Sequence, residues 1–148
     1  MSGIGVVEVS DFFLNKESMS PKKLQKLTYY AEAWHQALLN EKLINDDNFE
    51  AWVHGPVAPT LYQKYKEYGW QKIPKKVTEL NFDDNTLEIL ESVWNTYGNQ
   101  DGNSLEALTH TEMPWKKARL GFQPNENSQV VISPEDMKEY YKSIYIGG

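Results

Sequence analysis

The residues best suited to chemistry lie in one short stretch, where His110 stands between Thr109 and Thr111, two positions before Glu112. A histidine oriented by a carboxylate can act as a general base and activate a hydroxyl as a nucleophile. The same residue types also end helices, because their side-chain oxygens bind backbone groups in turns. We favour the helix-ending turn, and keep an enzyme that uses His110 and Glu112 as an alternative.

Other patterns of catalytic and cofactor sites are missing from the sequence. It has no cysteine, which excludes disulfides, thiolate metal sites and cysteine nucleophiles. His35, His54 and His110 lie in three different segments and show none of the spacings of zinc sites. Glycine-rich phosphate loops are absent, as is the Gly-x-Ser-x-Gly pattern of a nucleophile elbow. We therefore predict no catalytic residue, no metal and no cofactor.

Aromatic side chains are the unusual feature of the composition, with five tryptophans and nine tyrosines in 148 residues. Tyrosine and tryptophan combine an apolar body with a polar group, and they are enriched where proteins bind one another. Trp34 and Trp94 fall within apolar helical stripes, so we assign them to the core. Tyr62, Tyr65 and Trp70 are candidates for contact with a partner.

The composition indicates one globular domain over residues 1–148, with 40% hydrophobic and 24% charged residues. The formal net charge is −6, and no clustered basic face is visible, so we expect no nucleic-acid partner. An acidic surface favours a basic protein partner instead. No stretch approaches the roughly 20 apolar residues that span a bilayer. Residues 1–13 lack the pattern of a signal peptide, and we predict a cytoplasmic protein without membrane contact.

A mostly helical scaffold must position these side chains. The longest predicted element is a helix over residues 21–40, which begins at a Ser20 cap followed by Pro21. Apolar residues recur in it at steps of three and four, and they form one stripe: Leu24, Leu27, Ala31, Trp34 and Leu38. Further helices are predicted over residues 7–16, 59–68, 84–97, 104–108, 114–120 and 134–144. Asp83 or Asp84 is expected to cap the helix over residues 84–97, which places on one face Leu87, Leu90, Val93, Trp94 and Tyr97.

Three short segments are typical of strands, at residues 49–53, 75–80 and 130–132. Gly55 can adopt backbone angles barred to other residues, and Pro56 fixes its own. We expect the pair to turn the chain sharply from the first strand into the next helix, with Trp52 and Val57 beside the turn. The fold class is α+β, predominantly α: a single-domain helical bundle with a small antiparallel β-sheet of short strands.

Three segments together resemble the Panacea domain, a family that includes GepA-like phage-associated proteins and the antitoxin SocA. They read KLQKLTYYAEAWH over residues 23–35, FEAWVHGPVAPTLY over residues 49–62 and LEALTHTEMPWKKAR over residues 105–119. Their order and separations resemble the family from about residue 24 to about residue 141, which is most of the chain.

The resemblance implies the antitoxin of a toxin–antitoxin pair from bacteria or their phages. Such a protein would neutralise a cognate protein toxin by direct binding and would not be an enzyme. An alternative within the family is a proteolytic adaptor that delivers the toxin to a AAA+ protease.

The motif residues divide into two expected roles. His35, His54 and Tyr62 are expected to reach solvent, and with Tyr65 and Trp70 they form the predicted partner-binding set. The other positions are expected to serve the motif as scaffold: Trp34, Trp52, Gly55, Pro56, Val57, His110, Glu112, Pro114 and Trp115.

Overall fold

A computed structural model describes residues 4–147 of the chain. Within this range the helices are α1 (Val6–Lys16), α2 (Pro21–Leu39), α3 (Pro59–Tyr65), α4 (Asp84–Tyr97), α5 (Gly102–His110), α6 (Met113–Ala118) and α7 (Pro134–Gly147). A 3-10 turn over Lys66–Tyr68 extends α3, and two short strands, β1 (Glu50–Trp52) and β2 (Gly55–Val57), form an antiparallel sheet. The predicted α+β class, dominated by helices, is confirmed.

Helix α2 lies at the centre and packs against α1, α3, α4, α5, α7 and β2. Its ends follow the sequence signals: the Ser20 hydroxyl accepts a hydrogen bond from the Lys23 amide, and Asn40 ends the helix in the left-handed conformation. Because neighbours surround it, 14 of its 19 residues are buried, so a single predicted stripe was too narrow. Leu38, which we placed in that stripe, is 41% exposed.

The remaining helices begin close to their predicted caps, with local differences. Asp83 caps α4 as expected, but Ile89 is buried where we predicted Leu87. Helix α5 begins earlier than predicted, because the Asp101 carboxylate caps it by accepting from the Ser104 amide. Several of the aromatic residues fill the core, and the largest fully buried side chains include Tyr29, Tyr30, Tyr141, Phe13 and Phe49.

The β1–β2 hairpin corrects one prediction. Glu50 pairs with Val57 and Trp52 with Gly55, so the chain reverses at Val53–His54 and not at the Gly-Pro pair. Gly55 has φ of +109°, a conformation open to glycine, and this lets the residues after it run back along β1. Gly55 and Pro56 therefore belong to a second strand that precedes α3.

The other two predicted strands have different outcomes. Residues 130–132 lie beside β1, where Val131 forms a single bridge with Glu50. Residues 75–80 form no strand, and this prediction was wrong. The end of α1 holds that segment instead, since the Lys76 amide donates to the Leu14 carbonyl and the Thr78 amide to Asn15 Oδ1.

Among the described residues, no helix combines the length and the apolar character that crossing a bilayer requires.

Candidate functional site

Helix α2 fixes the exit of the hairpin through two polar side chains. The Gln25 side-chain amide forms two buried hydrogen bonds with Ala58: its Nε2 donates to the carbonyl oxygen at 3.1 Å, and its Oε1 accepts from the amide nitrogen at 2.9 Å. The next residue is Lys26, whose Nζ donates to the Pro56 carbonyl at 3.2 Å. These contacts hold β2 against the central helix and satisfy backbone groups that would otherwise be buried without partners.

Helix α6 and the residue after it fix the other strand. Trp115 Nε1 donates to the Trp52 carbonyl at 2.9 Å, and Arg119 Nη1 donates to the Ala51 carbonyl at the same distance. Arg119 is buried, and its Nη2 also donates to the carbonyls of Gln123 and Glu126. Polar side chains from two distant segments of the sequence therefore converge on one eight-residue hairpin, residues 50–57.

Gly55 is required by close approach as well as by its backbone angles. A Cβ at this position would lie 2.7 Å from Lys26 Cε and 3.1 Å from Thr109 Oγ1. The hairpin, α2 and α5 thus meet at a point where an added side chain would have to displace the end of the Lys26 side chain.

Beside the hairpin lies a groove of about 310 Å³, which we call the hairpin groove. Trp52 and Tyr62 form an aromatic pair at its edge, with ring centroids 4.9 Å apart in an edge-to-face arrangement. The groove is lined by Pro21, Lys22, Leu24, Gln25, Lys26, Trp52, His54, Val57, Leu61, Tyr62, Tyr65, Lys66 and Gly69.

The charge of the groove is opposite in sign to that of the whole chain. Three lysines and a histidine are among the lining residues, and none of these is Asp or Glu. Glu106 on α5, which is not a lining residue, contacts Lys22 at 2.6 Å and His54 Nδ1 at 3.1 Å. Partial burial opposes ionisation of Glu106, but the hydrogen bonds from Lys22 and His54 hold its pKa below the ordinary value.

Lys26 is the buried cation of the groove, with 2% of its surface exposed. Burial lowers the pKa of its ammonium group to about 7, and the charge of nearby Lys22 acts in the same direction. The carboxylate of Glu106 opposes this shift. A lysine held in this way is close to losing its proton at neutral pH.

Four of the five predicted partner-binding residues lie at or beside the groove. His54 and Tyr62 line it, and both are exposed. Trp70, which follows Gly69 of the lining, is 87% exposed. Tyr65 also lines the groove but is only 7% exposed.

The expectation that His35 reaches solvent is wrong. This residue is 3% exposed, and its Nδ1 lies 2.8 Å from the Glu41 carbonyl. The reason is the central position of α2, whose neighbours cover both flanks of the predicted stripe. His35 serves to hold the loop that follows the helix.

The residues with catalytic potential are not brought together. His110 stacks on Trp115 at a centroid distance of 4.0 Å, and burial lowers the pKa of its imidazole. Glu112 instead accepts hydrogen bonds from Tyr30 at 2.8 Å and Tyr141 at 2.7 Å, both at Oε1, and burial raises its pKa. The carboxylate therefore orients two tyrosines and not the histidine.

Residues 109–111 form the end of α5 and the turn that follows it, as we favoured from the sequence. The Thr109 hydroxyl donates to the Glu106 carbonyl at 2.8 Å, and the Thr111 hydroxyl donates to the Leu108 carbonyl at 2.7 Å. Both bonds are the local contacts expected where a helix stops. Among residues 4–147, no three His, Asp or Glu side chains are placed to hold a metal ion.

The other motif positions lie in the scaffold around the hairpin. Pro56, Val57 and Pro114 are buried, and Trp34 is half-buried with its Nε1 donating to the Tyr97 hydroxyl at 2.9 Å. Sequence reasoning missed Gln25, Lys26 and Arg119 as determinants of the site, although Gln25 and Lys26 lie within the first motif. Polar residues next to an apolar helical stripe were the available signal.

A second groove, of about 220 Å³, lies between α2, α4 and α7. It shares no lining residue with the hairpin groove, and its lining contains no charged side chain: Trp34, Leu38, Ile89, Ser92, Val93, Thr96, Tyr97 and Tyr145.

A family model described as "Antitoxin SocA-like, Panacea domain" matches residues 24–116, which is more than half of the chain. The matched range contains Gln25, Lys26, the whole hairpin and Trp115, whereas Arg119 lies just beyond it. No curated protein and no solved structure matches the chain.

Proposed function

The chain belongs to the family of SocA-like antitoxins with a Panacea domain, and we propose that it neutralises a cognate protein toxin by binding it directly. The observation that carries this proposal is the position of the hairpin groove. All of its lining residues except Pro21 and Lys22 belong to the family-matched range, and exposed aromatic side chains stand at its edge. We expect the encounter to take place in the cytoplasm.

Rigidity supports a role in binding. Side chains from α2 and α6 hold both strands of the hairpin by hydrogen bonds to backbone groups, so little conformational freedom is left for a partner to remove. Tyr62 and Trp70 supply aromatic surface of the kind that dominates binding energies at interfaces. The full contact would extend beyond the groove, since a stable interface buries roughly 1,200–2,000 Å² in total.

Co-expression tests the proposal. The toxin encoded by the neighbouring gene should arrest growth when expressed alone, and this chain should restore growth and co-purify with it. Rescue without a detectable complex and without loss of toxin would count against direct binding.

Delivery to a AAA+ protease makes a different prediction from direct inhibition. Under direct inhibition, rescue persists in a strain that lacks the ATP-dependent proteases, and the toxin's half-life is unchanged by this chain. A half-life that shortens only when both the chain and a protease are present would favour the adaptor.

The catalytic alternative is tested at His110. If this residue were a general base, His110→Ala would abolish neutralisation while leaving binding intact. Because His110 stacks on Trp115 and Glu112 faces two tyrosines, we expect the variant to neutralise the toxin as long as it folds.

A further inference from the structure

We propose that the hairpin groove receives a segment of the toxin in which an acidic side chain stands next to an apolar one, with the carboxylate pairing to Lys26. This inference rests on the proposed function, because it specifies which part of a bound toxin the groove recognises. Its basis is the mismatch between the charge of the groove and the charge of the whole chain.

The groove concentrates positive charge on an acidic protein. The chain carries 21 acidic and 15 basic residues, and its overall charge alone favours a basic partner. The groove nevertheless has Lys22, Lys26, Lys66 and His54 in its lining, without an acidic residue. Binding surfaces tend to match the local potential of the partner, so this groove selects an acidic segment.

Lys26 provides the more specific signal, because its ammonium group is buried without an ion-pair partner among the described residues. An ammonium group can donate three hydrogen bonds, and the one that Lys26 makes is to the neutral Pro56 carbonyl at 3.2 Å. In the described part of the chain, no carboxylate lies within ion-pair distance of it. A cation buried in this state is costly, and a ligand carboxylate would supply the missing partner.

The neighbouring cations are not equivalent. Lys22 already pairs with Glu106, and its Nζ also donates to Asn103 Oδ1 at 3.0 Å. Lys66 is exposed and forms no ion pair among the residues that the structure describes. Pro21, the first residue of α2, lies in the same lining, and the start of a helix carries positive partial charge. Among the described residues, Lys26 and Lys66 are therefore the lysines of the lining without a carboxylate partner.

The rest of the groove is apolar. Leu24 and Leu61 are buried in its lining, and the Trp52–Tyr62 pair forms an aromatic edge. A volume of about 310 Å³ suits a few side chains of a peptide, since ligand pockets generally measure roughly 300–1,000 Å³. The net charge of −6 disfavours a nucleic-acid backbone as the source of the anion, so we assign the anion to a carboxylate of the toxin.

Binding of the purified toxin to variants of this chain tests the inference. We expect Lys26→Met to weaken binding at least roughly tenfold and Lys66→Gln to weaken it less, because the buried partner of an ion pair contributes more than an exposed one. Lys142→Gln, an exposed change on α7 outside the groove, is the matched control and should alter affinity less than about twofold. Circular dichroism checks that each variant is folded.

A second measurement uses the unmodified chain. In an NMR titration, the pKa of the Lys26 ammonium should rise when the toxin is bound, since a carboxylate partner favours the charged form. A toxin variant with the contacting Asp or Glu changed to its amide should remove that rise. With this toxin variant as the ligand, Lys26→Met should cause no further loss of affinity.

The outcomes separate the two proposals. Failure of the wild-type chain to bind the toxin would refute the proposed function. A stable complex whose affinity does not change with Lys26→Met, or increases, would leave that function standing and overturn the inference. A fall or no change in the Lys26 pKa on binding would overturn it as well.

Discussion

At the scale of single residues, Glu112 shows how sequence proximity misleads. It stands two positions after His110, yet it is the N-cap residue of α6, and its side chain turns into a cluster of buried tyrosines. The identity of both residues could be read from the sequence. The direction of each side chain could not, because it depends on Tyr30 and Tyr141, which come from distant helices.

Two substitutions at Glu112 should change the stability to different extents. In Glu112→Ala the Tyr30 and Tyr141 hydroxyls lose their acceptor, which we expect to cost about 2–4 kcal/mol of unfolding free energy. Glu112→Gln keeps an acceptor oxygen, so it should remain within about 1 kcal/mol of the wild type. Urea unfolding of the two variants measures the difference, and equal losses would contradict this role.

The pH dependence at Glu112 has a definite sign. Burial raises its pKa in the folded state above the value of the unfolded chain, so the folded state favours the protonated form. Its contribution to stability is therefore lost as the pH rises through the folded-state pKa. Relative to the wild type, Glu112→Gln should gain stability as the pH rises above 4.5, the ordinary pKa of a glutamate, and a constant difference would contradict the assignment.

The lowered pKa of Lys26 predicts that the unfolding free energy changes with pH in a different range. Its pKa is about 7 in the folded chain, against an ordinary value of 10.5. Between these values the unfolded chain binds the extra proton, so the wild type gains stability as the pH rises. Lys26→Met lacks this penalty, and its stability relative to the wild type should be roughly 2 kcal/mol greater at pH 7 than at pH 9. Chemical unfolding at the two pH values measures this difference in unfolding free energy. A difference that does not change with pH would contradict a lowered pKa of the buried Lys26 ammonium group.

At the scale of elements, helices were predicted better than strands. Caps are local, so Ser20 with Pro21 and the capping Asp83 located α2 and α4 within a residue or two. A strand requires a partner, which no local pattern supplies. Strand β1, within residues 49–53, pairs with β2, which follows it in the sequence. In the part of the chain that the structure describes, residues 75–80 have no strand beside them and form hydrogen bonds with the end of α1 instead.

The candidate site, like the fold, was predicted only in part from the sequence. The three motifs identified the hairpin and its aromatic edge. This was possible because the backbone freedom of glycine, the fixed φ of proline and the large apolar ring of tryptophan are properties of the residue type alone. The buried ammonium of Lys26 and the amide clamp of Gln25 depend on how α2 meets β2, so no pattern along the chain revealed them. Burial of His35 depends in the same way on the neighbours of α2.

The hairpin should be more sensitive than an exposed turn to the same substitution. Gly55→Ala combines an unfavourable φ of +109° with a contact of 2.7 Å to Lys26 Cε, and we expect a loss of about 3 kcal/mol or more. Gly121→Ala is the matched control, because its φ is +93° but no atom lies within 4 Å of the added carbon. It should cost only about 1 kcal/mol. Thermal unfolding compares the stability losses of the two variants. Similar losses would mean that the contact with Lys26 does not add to the cost of Gly55→Ala.

At the scale of the whole molecule, an acidic helical body presents one cationic, aromatic-edged groove. Net charge governs long-range encounter, whereas the groove governs the contact itself, so the two can favour different features of one toxin. The second groove, between α2, α4 and α7, has no charged lining and offers an internal comparison. Tyr62 and Leu38 are exposed to nearly the same extent, 40% and 41%, and each lines only one of the two.

Calorimetric titration of the cognate toxin into the wild type, Tyr62→Ala and Leu38→Ala tests the central claim most directly. If the chain neutralises the toxin through the hairpin groove, Tyr62→Ala should lose about 2 kcal/mol or more of binding free energy, and Leu38→Ala should stay within about 0.5 kcal/mol of the wild type. Unchanged affinity of Tyr62→Ala, or a larger loss in Leu38→Ala, would contradict the account.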